Sequence, residues 1–308
     1  MAARATVIIP TFGNARFARW AIQSVQQQTI QELEICLICD GSPQEMISFF
    51  KEMGKEDPRL KIFIYPKSPR TGEPYRDEVI RQTTGEIIGY CCHDDLWLPN
   101  HVQEVEEALK TCLFVHSIHA SVNLPRDVGD VNTLFSQVIW IDLRNQAIVN
   151  KMLGKQRIPT LLGHFPNFFG LTAGAHTRES YLKLGEGWVT TPKRIQTDLY
   201  MWRKFLSAYG DQCSTIPRVT GLNFEKKLRK KWTEQERDQE LKYYFEKIAD
   251  PAFLRQIDQV APRVSYPSNG PAKLIKWVKD FYRINQPTRY QSFADQTSRS
   301  RSESAVII

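Results

Sequence analysis

Short apolar runs alternate with longer amphipathic ones through the first hundred residues. Residues 6–10 (TVIIP), 34–39 (EICLIC), 61–65 (KIFIY) and 86–92 (EIIGYCC) are each of strand length. Three of these four runs are apolar without clean alternation, the pattern of parallel strands covered on both faces. Between them, residues 15–27 hold Phe17, Trp20, Ala21, Ser24 and Val25 on one helical face, and residues 44–54 and 74–83 are also helix-like. Strand and helix repeated in this order predict an α/β fold: a mostly parallel, Rossmann-like open sheet of right-handed βαβ units, flanked by helices.

Beyond Pro99 the pattern predicts a helix over 100–112 and strands over 113–120 and 137–143. An aromatic, Gly-broken stretch (FPNFFGLT, 165–172) leads to a helix starting near Thr177, with Glu179 and Ser180 in its first turn. A further helix takes Thr197 as N-cap and Asp198 as its first residue, with Leu199, Trp202, Phe205 and Leu206 facing inward. Residues 225–248 are charged and helical, and residues 272–284 place Leu274, Ile275, Val278, Phe281 and Tyr282 on one face with Lys273, Lys276, Lys279 and Arg283 around it. That second pattern suits an anionic membrane surface, a partner, or the chain's own core. The expected division is a domain at 1–222, a helical C-terminal extension at 223–286, and a disordered tail at 287–308.

Composition narrows the class. A chain of 308 residues with 42% hydrophobic content can bury a full core. No stretch approaches the roughly 20 apolar residues of a spanning helix, and the amino end lacks an apolar signal core, so the expectation is a soluble, cytoplasmic protein, peripheral at most to the inner membrane face. The net charge of +7 is concentrated late: from Asn223 onward 17 Lys and Arg stand against 11 Asp and Glu, whereas residues 1–222 carry 24 against 23. The KKLRKK cluster (226–231) raises nucleic-acid binding, but acidic residues follow at once, and a solvated helix face accounts for it better, so no nucleic-acid partner is expected. Six cysteines show no secreted framework. Cys36 and Cys39 have metal-pair spacing, yet on a strand residues three apart point to opposite faces.

In a parallel sheet, ligands bind beyond the carboxyl ends of the strands. Here those ends carry Pro10-Thr11-Phe12-Gly13, then Asp40-Gly41-Ser42, then Pro66-Lys67 through Arg70, then His93-Asp94-Asp95. Asp94 and Asp95 follow directly from an apolar strand. Two adjacent carboxylates repel, so each must be solvated, hydrogen-bonded or bound to a cation. Asp198 at a helix start is, on pattern alone, better explained by the helix dipole, which such a carboxylate offsets by about 0.3–1 kcal/mol.

These landmarks together resemble a family 2 glycosyltransferase of the GT-A fold, over roughly residues 6–208. TVIIPTFGNARFARWAIQSVQQQTIQELEICLICDGS resembles the nucleotide-binding opening, including Gln28-Thr29 and Asp40-Gly41-Ser42, and YRDEVIRQTTGEIIGYCCHDD resembles the block ending in the metal motif. The resemblance implies that Pro10, Thr11 and Phe12 meet the nucleotide, that Asp40 accepts a hydrogen bond from a uracil ring, and that Arg76 contacts the donor, with Lys67 and Arg70 as further phosphate neutralisers. It implies a divalent cofactor, Mn²⁺ or Mg²⁺, on Asp94 and Asp95, and Asp198 as the base of an inverting transfer from a nucleotide-sugar donor to a glycan or lipid-linked acceptor. His176, Trp188 and residues 190–196 fall where acceptor contacts are expected, although His176 suits a structural role as well. Cys92 departs from the pattern, standing where the family often has the first aspartate of its metal motif. His93 or Asp95 would have to compensate for the ribose contact.

Three rivals remain. A sugar nucleotidyltransferase would open on a Gly-rich loop that TVIIPTFGNARF lacks. A basic nucleic-acid-binding protein is disfavoured by the nearly neutral first 222 residues, and a degenerate sugar-nucleotide binder by the presence of Asp94, Asp95 and Asp198.

Overall fold

The computed structural model describes residues 3–122, 135–138, 142–154 and 169–260. The four apolar runs form β1 (Ala5–Thr11), β2 (Leu33–Asp40), β3 (Leu60–Tyr65) and β4 (Ile87–Tyr90). They pair in parallel as β3-β2-β1-β4. The sheet continues through β8 (Gly174–Thr177), β6 (Phe114–Val122), β9 (Cys213–Asn223) and β5 (Leu96–Trp97), with β7 (Phe135–Val138) beside β6. β8 is antiparallel to both β4 and β6, so the sheet is mixed.

Side-chain alternation on the buried strands divides the core in two. Ala5, Val7 and Ile9 of β1 pack on one face with α1 (Ala18–Gln26), α2 (Gln44–Glu56) and α4 (His101–Leu109). On the other, Ile8 and Ile38 meet α3 (Glu73–Gln82), α5 (Gln146–Met152), α6 (Arg178–Leu182) and α7 (Thr197–Tyr209). Cys39 belongs to the first face and Cys36 to the second, as period-two geometry requires, so they are not a metal pair. Gly85 lets the chain cross β1 closely: a Cβ there would lie 2.5 Å from the Thr6 backbone nitrogen.

Several elements differ from expectation. The strand expected at 137–143 overlaps β7 (Phe135–Val138), and residues 139–141 lie outside the described ones; beyond them Asn145 caps α5 by accepting a hydrogen bond from the Ala147 backbone. β9 was hidden by Pro217 and Gly221. The register jumps from Ser117–Ile216 to Ile118–Val219, so Pro217 falls in a bulge where no ladder donor is needed. At Gly221 a Cβ would meet the His119 ring at 2.6 Å.

The charged segment at 225–248 is not one helix, and its basic cluster is not a solvated helix face. Residues 226–231 are turns, because Arg229 is drawn inward onto Glu240 through two 2.5 Å contacts and onto the Val122 carbonyl. Helix α8 (Glu234–Lys247) starts afresh at Thr233, where Thr233 and Glu236 form a reciprocal capping box. Together with α9 (Pro251–Val260), it adds Leu241, Tyr244, Ile248, Phe253 and Ile257 to the first core. No helix among the described residues is long and apolar enough to cross a membrane. The amphipathic segment 272–284 and the tail from 287 lie outside the described residues.

Candidate functional site

A cleft of about 610 Å³ opens at the carboxyl ends of β1, β2 and β4. Pro10, Thr11, Phe12, Asp40, Arg76, Asp94 and Asp198 all line it, so seven of the eight expected site residues converge although they are scattered over most of the chain. Arg70, Cys92, His93, Lys193 and Arg194 share its walls.

Each side chain is held by its local structure. Thr11 ends β1 buried, and its hydroxyl has no protein partner, whereas Phe12 beyond it is 44% exposed. Phe12 meets His93 edge-on at 5.5 Å, and the Lys226 ammonium lies 5.0 Å from its ring. Asp40, at the end of β2, accepts hydrogen bonds from the Ser68 backbone and hydroxyl and from Lys67 Nζ at 2.7 Å. Lys67 is therefore an anchor for Asp40. Arg70 donates to the Pro192 and Ile195 carbonyls and fastens the loop before α7 to the cleft wall.

Arg76 is the most buried of the cations that line the cleft. It is 3% exposed, lies over the Trp188 ring at 4.8 Å, and donates from Nη2 to the Thr71 carbonyl at 2.6 Å. Its Nε and Nη1 have no hydrogen-bond partner. Burial lowers its pKa, and the negative charges of Glu73 and Asp198 oppose that shift. A guanidinium never deprotonates at such sites, so the cost is carried as unsatisfied buried donors facing a cleft.

The two adjacent carboxylates part company. Asp94 faces the cleft and accepts from Arg237 Nη2 at 3.2 Å. Burial would raise its pKa, but His93, Arg237 and Lys226 bring it below the usual carboxylate value. Asp95 turns away, 3% exposed, and accepts from Thr172 Oγ1, from Asn223 Nδ2 at 3.0 Å and from the Phe224 backbone at 3.1 Å. Burial and then the Asp94 charge push its pKa up to about 7. One ligand atom each from Cys92, Asp94 and Asp95 lies within 4.8 Å of the others, close enough to share an ion. With Asp95's oxygens hydrogen-bonded, Asp94 is the oxygen donor offered to the cleft; burial and then the Asp95 and Asp94 charges push the Cys92 thiol well up, so it stays protonated.

The segment is braced from Gln28, whose amide donates to the Ser24 and Leu98 carbonyls and accepts from the Val102 backbone. Thr29 donates to the Pro99 carbonyl. The Gln-Thr pair thus fixes the chain leaving the carboxylates. Asp198 lies in the first turn of α7, which starts at Thr197 with Gln196 as N-cap, one residue earlier than expected.

His176 and Trp188 are corrected. Both are buried, and each is hydrogen-bonded to the Tyr90 hydroxyl, at 2.7 and 2.9 Å. They support the floor beneath Arg76 and cannot meet an acceptor. Lys193 and Arg194, from the stretch before Asp198, do reach the cleft. Arg237 carried no signal in sequence, since it lies 143 residues from the carboxylate it contacts.

The family model "Glycosyl transferase family 2" matches residues 6–151, which include Asp40, Arg76, Asp94 and Asp95 but not Asp198. An uncharacterized glycosyltransferase, alr2836, of Nostoc sp. is 27% identical over 114 residues, 37% of this chain and 35% of that protein. A GalNAc(5)-diNAcBac-PP-undecaprenol beta-1,3-glucosyltransferase of Campylobacter jejuni is 29% identical over 90 residues, 29% of each chain. The matched segments thus span only about a third of these relatives. Among solved structures, S. aureus TarS 1-349 superposes with a TM-score of 0.52 at 13% identity, covering 91% of this chain and 80% of that one. The same fragment in complex with UDP-GlcNAc gives 0.51 at 12% identity over the same shares. Those likenesses establish the GT-A-like fold.

Proposed function

Because this chain carries a family 2 glycosyltransferase domain, we propose that it transfers a sugar from a nucleoside-diphosphate donor, a UDP-sugar foremost, to a hydroxyl of a glycan or lipid-linked acceptor. The observation that carries the proposal is the convergence of Asp40, Arg76, Asp94 and Asp198 on one cleft at the strand ends. The UDP preference is supported by the TarS fragment's complex with UDP-GlcNAc, and the lipid-linked acceptor by the undecaprenol named for the Campylobacter relative.

Pro10, Thr11 and Phe12 would border the nucleoside, with Asp40 accepting from the base. The unpartnered donors of Arg76 would bind diphosphate oxygens. The Asp94 carboxylate, a hard oxygen donor, would hold Mn²⁺ or Mg²⁺, whereas the protonated Cys92 thiol beside it does not suit such an ion; the ion, when bound, neutralises the departing diphosphate. Asp198 takes the proton of the acceptor hydroxyl as that oxygen bonds to the anomeric carbon and the bond to the diphosphate breaks. A single displacement inverts the centre, so an α-linked donor yields a β-linkage.

Calorimetric titration of UDP with Mn²⁺, with EDTA, and into Asp94→Ala tests the site. Metal-dependent binding lost in the variant is the expected result, and Asp198→Asn should bind UDP normally yet fail to transfer. Silence of the wild type toward UDP, GDP, CDP and TDP alike would overturn the proposal. Binding of UDP-sugars by the wild type with no transfer to any acceptor would favour the degenerate binder, a reading that Cys92 keeps in play.

A further inference from the structure

Asp94 already has a cation. Arg237 reaches it from α8, with only 9% of its own side chain and 17% of Asp94's exposed. The contact is a single one of 3.2 Å, and the guanidinium lies 4.8 Å from the Phe17 ring. Its Nε is buried without a partner. Arg237 is therefore not a saturated structural ion pair, unlike Arg229, which grips Glu240 with two nitrogens.

The helix that delivers it is fixed on both sides of the residue. Thr233 and Glu236 cap it just before Arg237, and just after, Asp238 accepts from Arg19 and from Trp20 Nε1 at 2.9 Å on α1. Lys226 approaches the same rim through Phe12. The C-terminal segment thus brings two positive charges to the edge of the carboxylate cluster that faces the cleft.

We infer that Arg237 is a resident counter-cation of Asp94 that opposes metal entry into the empty cleft and assists the diphosphate once it arrives. The inference rests on the proposed nucleoside-diphosphate site. Arg237 and a divalent ion share one carboxylate and repel each other, so Arg237 lowers the affinity for metal alone. A diphosphate reverses the sign, because its negative charge beside Asp94 is attracted by the guanidinium's positive one. Metal and donor are thereby made to bind together.

The test compares wild type, Arg237→Gln and Arg237→Lys by calorimetry, first with Mn²⁺ alone and then with UDP in EDTA, after circular dichroism shows each is folded. Arg237→Gln should bind Mn²⁺ several-fold to about tenfold tighter, the order expected of one unit charge beside a dication in a water-like medium. It should bind metal-free UDP several-fold more weakly, and Arg237→Lys should stay close to wild type in both. A structural role moves both affinities down together. That result, or an unchanged Mn²⁺ affinity in Arg237→Gln, would overturn the inference while a UDP-binding wild type leaves the proposed function standing. A wild type that binds neither probe overturns both.

Discussion

Arg76→Met removes the guanidinium and keeps most of the stem volume beside Trp188. For an ordinary buried, paired arginine such a change costs about 3–5 kcal/mol, because it strands the partner charge. Arg76 differs in that two of its nitrogens, Nε and Nη1, are buried with no partner. Each such group costs about 1–3 kcal/mol in the folded state, a penalty the methionine abolishes. Against this stand the lost hydrogen bond to the Thr71 carbonyl, about 1.5–3 kcal/mol as a charged-group bond, and the ring contact with Trp188, about 0.5–2 kcal/mol. Glu73, also buried, keeps its hydrogen bonds from the Thr71 and Thr191 backbones. The two sides nearly cancel, leaving a net change within about 1 kcal/mol.

Ligand binding has no such cancellation. Two charge-assisted bonds to a diphosphate are worth about 3–6 kcal/mol together, so UDP affinity should fall by roughly 150- to 20,000-fold. Thermal unfolding in EDTA and calorimetry with UDP read the two effects separately. The expected outcome is a melting temperature within about 3 °C of wild type with UDP binding largely lost. A fall of more than about 10 °C, or UDP affinity unchanged, would refute the assignment of those nitrogens to a ligand.

Asp95→Ala should destabilise the metal-free protein by about 3 kcal/mol, or roughly 8 °C, since three buried donors lose their acceptor; a melting point unchanged in EDTA would show that Asp95 is not a bracket between Thr172 and the end of β9. His101 and His176 are buried, and burial holds His101 well below the ordinary range and His176 down at about 3. Both stay neutral in the fold while the unfolded chain protonates below about 6.5, so each loses about 1.4 kcal/mol of stability per pH unit as pH falls. His119, held at about 3 by burial, adds a third such loss, and Asp95, raised to about 7, works oppositely by at most one proton, leaving a net loss of about 2.8 kcal/mol per unit between pH 6 and 5. Urea unfolding in EDTA at those two pH values checks the sign, and equal or greater stability at pH 5 would contradict it. For residues 272–284, flotation with anionic liposomes should be lost on deleting 272–308; undiminished flotation would remove the membrane role from that segment.

The first four strands and three helices were legible because β1, β2 and β4 are buried on both faces, β3 is a short apolar run at the sheet edge, and all four are bounded by polar turns. Their apolar runs are short enough to be strands and too regular to be loops. The later elements depend on tertiary context. β9 contains Pro217, a signal against a strand, and accommodates it because β9 bulges there, with residues 217 and 218 unpaired between the partners of Ser117 and Ile118. The basic run at 226–231 fits a helix by composition, but the buried Arg229–Glu240 pair turns the chain there instead, an interaction that local pattern does not encode. His176 and Trp188 illustrate the same limit in the site. Their sequence position lies between the metal motif and Asp198, yet both are drawn to the Tyr90 hydroxyl beneath the cleft.

The pair Asp94-Asp95 shows why motif and site are not the same thing. Two identical residues in succession read as one feature, a doubled acidic end to a strand. Folding gives them opposite directions, and the partners decide what each can do. Asp95 meets neutral donors from Thr172, Asn223 and Phe224, which bind the loop to the end of β9. Asp94 meets the cleft and a cation from α8. The C-terminal segment therefore enters the site twice, once through the residues that hold Asp95 in place and once through the charge on Asp94. A boundary at residue 222 would cut through both contacts, so the chemistry proposed for the first 222 residues depends physically on the forty that follow.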